Sequence, residues 1–92
     1  MPIPITFDPA KRDKTLRERG LNFEEAALVF SGLTHTFEDD RFDYGETRWV
    51  TYGFLRQRLT AVVWTPRGEA RHIISMRKCN DGEKEKYQAR LA

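Results

Sequence analysis

The sequence predicts an α+β domain built from a short N-terminal strand, two helices, an antiparallel meander sheet and a C-terminal helix. Three observations carry that reading. Capped helical segments fill the first third of the chain. Apolar alternation rich in β-branched and aromatic residues fills most of 34–76, and a Glu- and Lys-rich run of good helix formers closes it. With 92 residues, 39% hydrophobic and 33% charged, the chain suits one modest core over residues 1–92 and no second domain.

Ile3 to Thr6, with Phe7, reads as the first strand. Asp8 then caps a helix that has Pro9 at its first position and runs to about Arg19, where Gly20 supplies a left-handed stop. Asn22, three residues before Glu25, resembles a capping box opening a second helix from Phe23 to Phe30, and Ser31-Gly32 ends it. Thr34 to Asp39 alternates as a strand, and Asp39 to Gly45 is a polar loop. Glu46 to Phe54 alternates again, Arg56-Gln57 forms a hairpin turn, and Leu59 to Thr65 is a nearly continuous apolar strand. Residues 66–69 read as a turn, and Arg71 to Met76 as the last strand. A short helix follows from Asn80 or Asp81, weakened in its first turn by Gly82. The helix pair should cover one sheet face and leave the other partly open for a ligand or partner.

Composition narrows the function. One cysteine, Cys79, closes no internal disulfide, and the amino terminus lacks the features of a signal peptide. No apolar run approaches the ~20 residues that span a bilayer, so a cytoplasmic protein without membrane contact is expected. A net charge of +2 conceals a marked asymmetry: residues 38–47 hold one base against five acids, whereas 48–78 hold seven bases against Glu69 alone. A segment that basic attracts phosphate, or an acidic protein partner.

The imidazole and thiol groups, His35, His72 and Cys79, stand at no metal-ligand spacing, and there is no phosphate loop, dinucleotide fingerprint or nucleophile elbow. No metal or cofactor is expected. Chemistry that needs only positioned side chains remains, and RNA cleavage by its own 2′-hydroxyl leads that class. It requires a proton acceptor, a proton donor for the leaving 5′-oxygen, and cations for the charge that develops on phosphorus. The strand region offers Arg48, Arg58, Arg67, Arg71, His72, Arg77 and Lys78, with Tyr44 and Glu46 before it and Tyr87 after. These groups are expected to converge on one pocket.

The same residues carry plainer readings. His35 alternates with Phe37 and reads as a buried, hydrogen-bonded histidine, while Trp49 and Trp64 suit a core as well as a base-stacking surface. His72 alternates with Ile74 and Met76, which suggests an apolar face, yet it adjoins Arg71 in the basic segment. Arg77 beside Lys78 suits a solvated strand end, the loop 38–46 a solvated turn, and Cys79 an inert thiol.

Taken in order, several motifs resemble one family. They are Phe7-Asp8-Pro9-Ala10-Lys11, Gly20-Leu21-Asn22-Phe23-Glu24-Glu25-Ala26, and Phe37-Glu38-Asp39-Asp40-Arg41 with Asp43-Tyr44-Gly45-Glu46 and Arg48. The most specific is Val63-Trp64-Thr65-Pro66-Arg67-Gly68 running into Arg71-His72-Ile73-Ile74-Ser75-Met76-Arg77-Lys78, followed by Asn80, Glu83 and Tyr87. The chain resembles the BrnT toxins of bacterial type II toxin–antitoxin systems. That resemblance implies a RelE-like fold, a ribonuclease that lowers translation, and a BrnA-like ribbon-helix-helix antitoxin that links the pair to operator DNA. It further implies catalytic roles for His72, Arg77, Glu46 (as base) and Tyr87, with Arg48, Arg58, Arg67, Arg71 and Lys78 binding RNA. The sequence departs from the family pattern at Cys79, where alanine is usual, and at Asp81-Gly82. A non-enzymatic module that only docks the antitoxin and serves operon autoregulation is the rival reading.

Overall fold

The computed structural model describes residues 3–41 and 43–91. Met1, Pro2, Phe42 and Ala92, which the sequence reading takes as chain ends and part of the acidic loop, lie outside the described residues.

Strand β1 spans Ile5–Phe7 and helix α1 Pro9–Arg19. Asp8 caps α1 as its spacing predicts, its carboxylate accepting the Ala10 N–H at 2.9 Å. Gly20, at φ 69°, ends the helix in the left-handed region, and its N–H donates to the Leu16 carbonyl. The second predicted helix divides into a single 3₁₀ turn, Phe23–Glu25, and helix α2, Ala26–Ser31. Strands β2 (Thr34–Glu38), β3 (Trp49–Leu55), β4 (Arg58–Arg67) and β5 (Ala70–Lys78) follow, then helix α3 (Asp81–Leu91).

The five strands form one sheet in the order β1-β5-β4-β3-β2. It is mixed: β1 runs parallel to β5, from Ile5 opposite Arg71 to Phe7 opposite Ile73, while the other pairs are antiparallel. The sequence reading of an antiparallel sheet is corrected at this one strand. β1 reaches β5 through the rest of the chain, not through a hairpin, so no tight turn forces the two to oppose.

Both faces are covered, unequally. Against one face the 3₁₀ turn and α2 pack Leu21, Phe23, Ala26 and Val29 on Leu55, Val62, Ile73 and Met76. Each of these side chains except that of Ala26 contributes roughly 1.5–3 kcal/mol on burial. Gly53 permits the close approach of α2 to β3, since a Cβ there would lie 2.8 Å from Val29 Cγ1. Against the other face α3 packs Tyr87 and Leu91 on Val50, Tyr52, Leu59, Ala61 and Cys79. The exposed residues Asp81 and Gly82 do not prevent α3 from forming, because Asn80 and Glu83 close a reciprocal capping box at 2.9 and 3.0 Å. Among the described residues, no helix is long and apolar enough to cross a membrane.

Candidate active site

α3 leaves the β1 side of its sheet face uncovered, and one irregularity decides which side chains reach it. In the β4/β5 ladder Val63 opposes Ser75 but Trp64 opposes Ile73, so Ile74 is an extra, unopposed residue on β5. Five residues separate His72 from Arg77, an odd number that regular alternation would place on opposite faces. The bulge restores them to one face: His72 opposes Thr65 and Arg77 opposes Ala61, while Ile73 and Met76 both enter the core under α2. The sequence reading that put His72 in register with Ile74 and Met76 is corrected here, since the bulge cannot be seen in the alternation.

The face carries two clusters, separated by roughly 15 Å of strand at ~3.3 Å per residue. The first surrounds His72. Its Nδ1 lies 2.8 Å from Thr6 Oγ1 of β1. The imidazole is held below its ordinary pKa, chiefly by burial and then by the positive charge of Arg67 and Lys11, with Glu46 and Asp8 acting in the opposite sense. Glu46 bridges the nearby cations, one carboxylate oxygen 3.3 Å from Arg48 Nε and the other 3.9 Å from Arg67 Nη2. Arg48 also stacks over the Tyr44 ring at 4.0 Å. Tyr44 in turn donates to buried Asp39, which accepts two further bonds from Arg41 at 2.7 and 3.0 Å. These bonds from Arg41 hold the Asp39 carboxyl below the usual carboxylate range. The acidic loop is therefore tied into the cluster and is not a free solvated turn.

The second cluster surrounds Arg77. Its guanidinium meets Glu83 of α3 in a bidentate pair, both bonds 2.7 Å, and Tyr52 donates to the same carboxylate at 3.0 Å. The Arg77 bonds hold the Glu83 carboxyl down to about 2. Tyr52 is pushed up, first by burial and then by its bond to Glu83. A cavity of about 320 Å³ opens beside Arg77, between Phe37, Val50 and Val63 and the acidic start of the loop.

The structure thus brings Glu46, Arg48, Arg67 and His72 together and leaves the other expected site residues apart from them. Arg77 belongs to the second cluster. Tyr87 is buried against Tyr52, the ring centroids 4.1 Å apart. Arg58 donates to the Cys79 carbonyl at 3.2 Å, and Lys78 is exposed at the end of β5. Arg71 lies toward α2, its guanidinium 4.2 Å from the Phe30 ring and 5.2 Å from Trp64. Its Nε is buried and finds no hydrogen-bond partner among the described residues. Trp49 and Trp64 stack on each other, with Trp64 Nε1 donating to Thr51, so each is half-buried and committed to packing. His35 is half-buried against Phe37 and Tyr87. Cys79 is buried and its thiol is pushed up to about 11 by burial, which removes the thiolate needed for reactivity.

Thr6 and Glu83 are among the participants that escaped the sequence reading as site residues. Thr6 gives no local signal, because its role depends on the parallel β1/β5 register. Glu83 does give one: Asn80-Asp81-Gly82-Glu83 has the spacing of a helix-start box. Among the described residues, no three His, Cys, Asp or Glu side chains gather into a metal-binding set.

Fold and face together define a small α+β domain with a polar cluster, an imidazole, a carboxylate and two guanidinium groups, on the open side of its sheet. The sequence model described as the ribonuclease toxin BrnT of type II toxin–antitoxin systems matches residues 7–83. The chain belongs to this toxin family, whose members are ribonuclease toxins paired with an antitoxin. A search of curated proteins finds no significant match.

Proposed function

We propose that the domain is a metal-independent endoribonuclease, with a RelE-like arrangement of its sheet, that cuts RNA through the 2′-hydroxyl and so lowers translation in the cytoplasm. The observation that carries the reading is the His72 cluster: an imidazole favoured in its neutral form, beside a carboxylate shared by two arginines. In the productive tautomer, His72 Nδ1–H donates to Thr6 Oγ1, and Nε2 presents its lone pair to the 2′-hydroxyl proton. The attacking 2′-oxygen then bonds to phosphorus as the bond to the 5′-oxygen breaks. Imidazolium returns the proton to that leaving oxygen directly or through water. Arg48 and Arg67 face the phosphoryl oxygens, where preorganised cations oppose the charge that develops. The family resemblance implied Glu46 as base; with a guanidinium on each oxygen, Glu46 instead serves to orient Arg48 and Arg67. Arg77 and Tyr87 then act at a distance from the reacting phosphate, as parts of the α3 anchor.

A BrnA-like ribbon-helix-helix antitoxin silences the enzyme by laying an acidic segment over these arginines, and operator DNA is reached through that partner alone. The saturated Arg77–Glu83 pair favours the alternative, a docking module without catalysis. Incubating the purified protein with RNA and with its 2′-deoxy equivalent, both in chelator, separates the two. Cleavage of RNA alone is expected; intact RNA together with tight antitoxin binding would leave the docking module.

A further inference from the structure

α1 carries an unusual inward stripe. Residues 11, 14, 15, 18 and 19 share one helical face by their spacing, the pattern that in a surface helix is normally apolar and turned to the core. Here the stripe reads Lys11, Lys14, Thr15, Glu18 and Arg19, and α1 buries none of its residues. Opposite it, β1 ends at Phe7 and pairs β5 only as far as Ile73. The β5 edge beyond, at the bulge residues Ile74 and Ser75, floors a groove of about 310 Å³ whose wall is that stripe. Arg19 spans the groove and donates to the Met76 carbonyl at 2.8 Å, which fixes the helix against the edge. Three cations against the single carboxylate of Glu18 make the groove an anion site. Its Lys11 end adjoins the His72 cluster, because Lys11 stands in the first turn of α1, which follows β1 directly, and Thr6 of β1 is the hydrogen-bond partner of His72 Nδ1.

We infer that the groove between α1 and the free edge of β5 holds the sugar–phosphate backbone of single-stranded RNA next to the nucleotides that react at His72, with Lys11 and Lys14 as phosphate contacts. The inference rests on the ribonuclease reading and extends it to the path of the strand. No aromatic ring is among the residues that line the groove, so it offers cations to the backbone and no stacking platform to the bases, and the phosphate contacts of Lys11 and Lys14 carry no sequence information.

The test is binding of a 2′-O-methyl octanucleotide, which cannot be cut, by the full chain across a salt series. Lys11→Gln/Lys14→Gln is expected to weaken binding on the order of tenfold at low salt and to reduce the salt slope by about 1.4, two contacts at ~0.7 each. Lys14→Glu alone should act in the same direction. Arg56→Gln, which removes a charge in the distant β3–β4 turn, should change affinity by less than about twofold. Double-variant binding equal to wild type, from a protein that still cuts RNA, overturns the groove and spares the nuclease. An equal loss in Arg56→Gln overturns it too, leaving net charge as the cause. If polyglutamate senses the lysines and the octanucleotide does not, the groove serves a protein and the inference fails. A wild-type protein that neither binds nor cuts RNA removes the reading beneath it as well.

Discussion

At the Glu46 end of the open face one carboxylate is shared loosely, 3.3 Å from Arg48 and 3.9 Å from Arg67, beside an imidazole bonded to Thr6. At the Glu83 end one carboxylate is saturated: two bonds from Arg77 at 2.7 Å, one from Tyr52, and one from the Asn80 N–H. The residue types are nearly the same, and their employment differs. Long, incomplete ion pairs leave guanidinium groups able to turn to a phosphate. A carboxylate with every acceptor site filled can accept nothing more; it holds Arg77 in place and fastens α3 to β5, while Arg77 keeps N–H donors the pair does not use. A basic residue on an open sheet face is thus a candidate for catalysis only to the extent that its own neighbours have not already used it.

The largest effect that would break this contrast comes from His72→Ala. Metal-free RNA cleavage should fall by about 10²–10⁴, with thermal stability close to wild type, since His72 is half-buried and its bond is to Thr6. Deleting Ile74 should lower cleavage comparably and reduce stability as well. Removing the bulge shifts one half of β5 by a residue, which turns either the His72 or the Arg77 half to the wrong face. Arg67→Ala should reduce kcat on the order of 10²-fold and leave the fold intact, because the side chain is exposed and makes one weak ion pair. Activity assays beside thermal melts check all three.

Glu83→Gln tests the other end and should do the reverse, with stability falling on the order of 2 kcal/mol and cleavage by a working His72 cluster changing little. The pH dependence sharpens the point. With the Glu83 carboxyl held down to about 2, its contribution is fully present above the ordinary value near 4.5 and is lost as pH falls from there toward 2. Acid unfolding monitored by circular dichroism should lose that component in Glu83→Gln.

Helix ends were legible in the sequence because they are local: Asp8-Pro9, Gly20 and Asn22 act within three or four residues. Strands β2 to β5 showed through their alternation and turn residues. β1 showed as a strand, yet its parallel seat beside β5 was invisible, for that pairing spans 66 residues of chain. Glu46, Arg48, Arg67 and His72 could be nominated from charge and spacing. Their separation from Arg77, and the placing of Tyr87 and Arg71 in other environments, could not, because each depends on the Ile74 bulge or on which helix covers which face. Arg71 is the clearest instance. Adjacent to His72 in sequence, it lies on the opposite side of the sheet between two aromatic rings.

The pH profile of kcat/KM for RNA cleavage in chelator, measured for wild type and His72→Ala, addresses the central claim most directly. Burial and the charge of Arg67 disfavour imidazolium, so the active neutral form should persist to below pH 6.5 and activity should then fall with a single inflection. That inflection should vanish in His72→Ala along with most of the rate. A wild-type profile without an acid limb, or a limb that survives the substitution unchanged, would contradict the account.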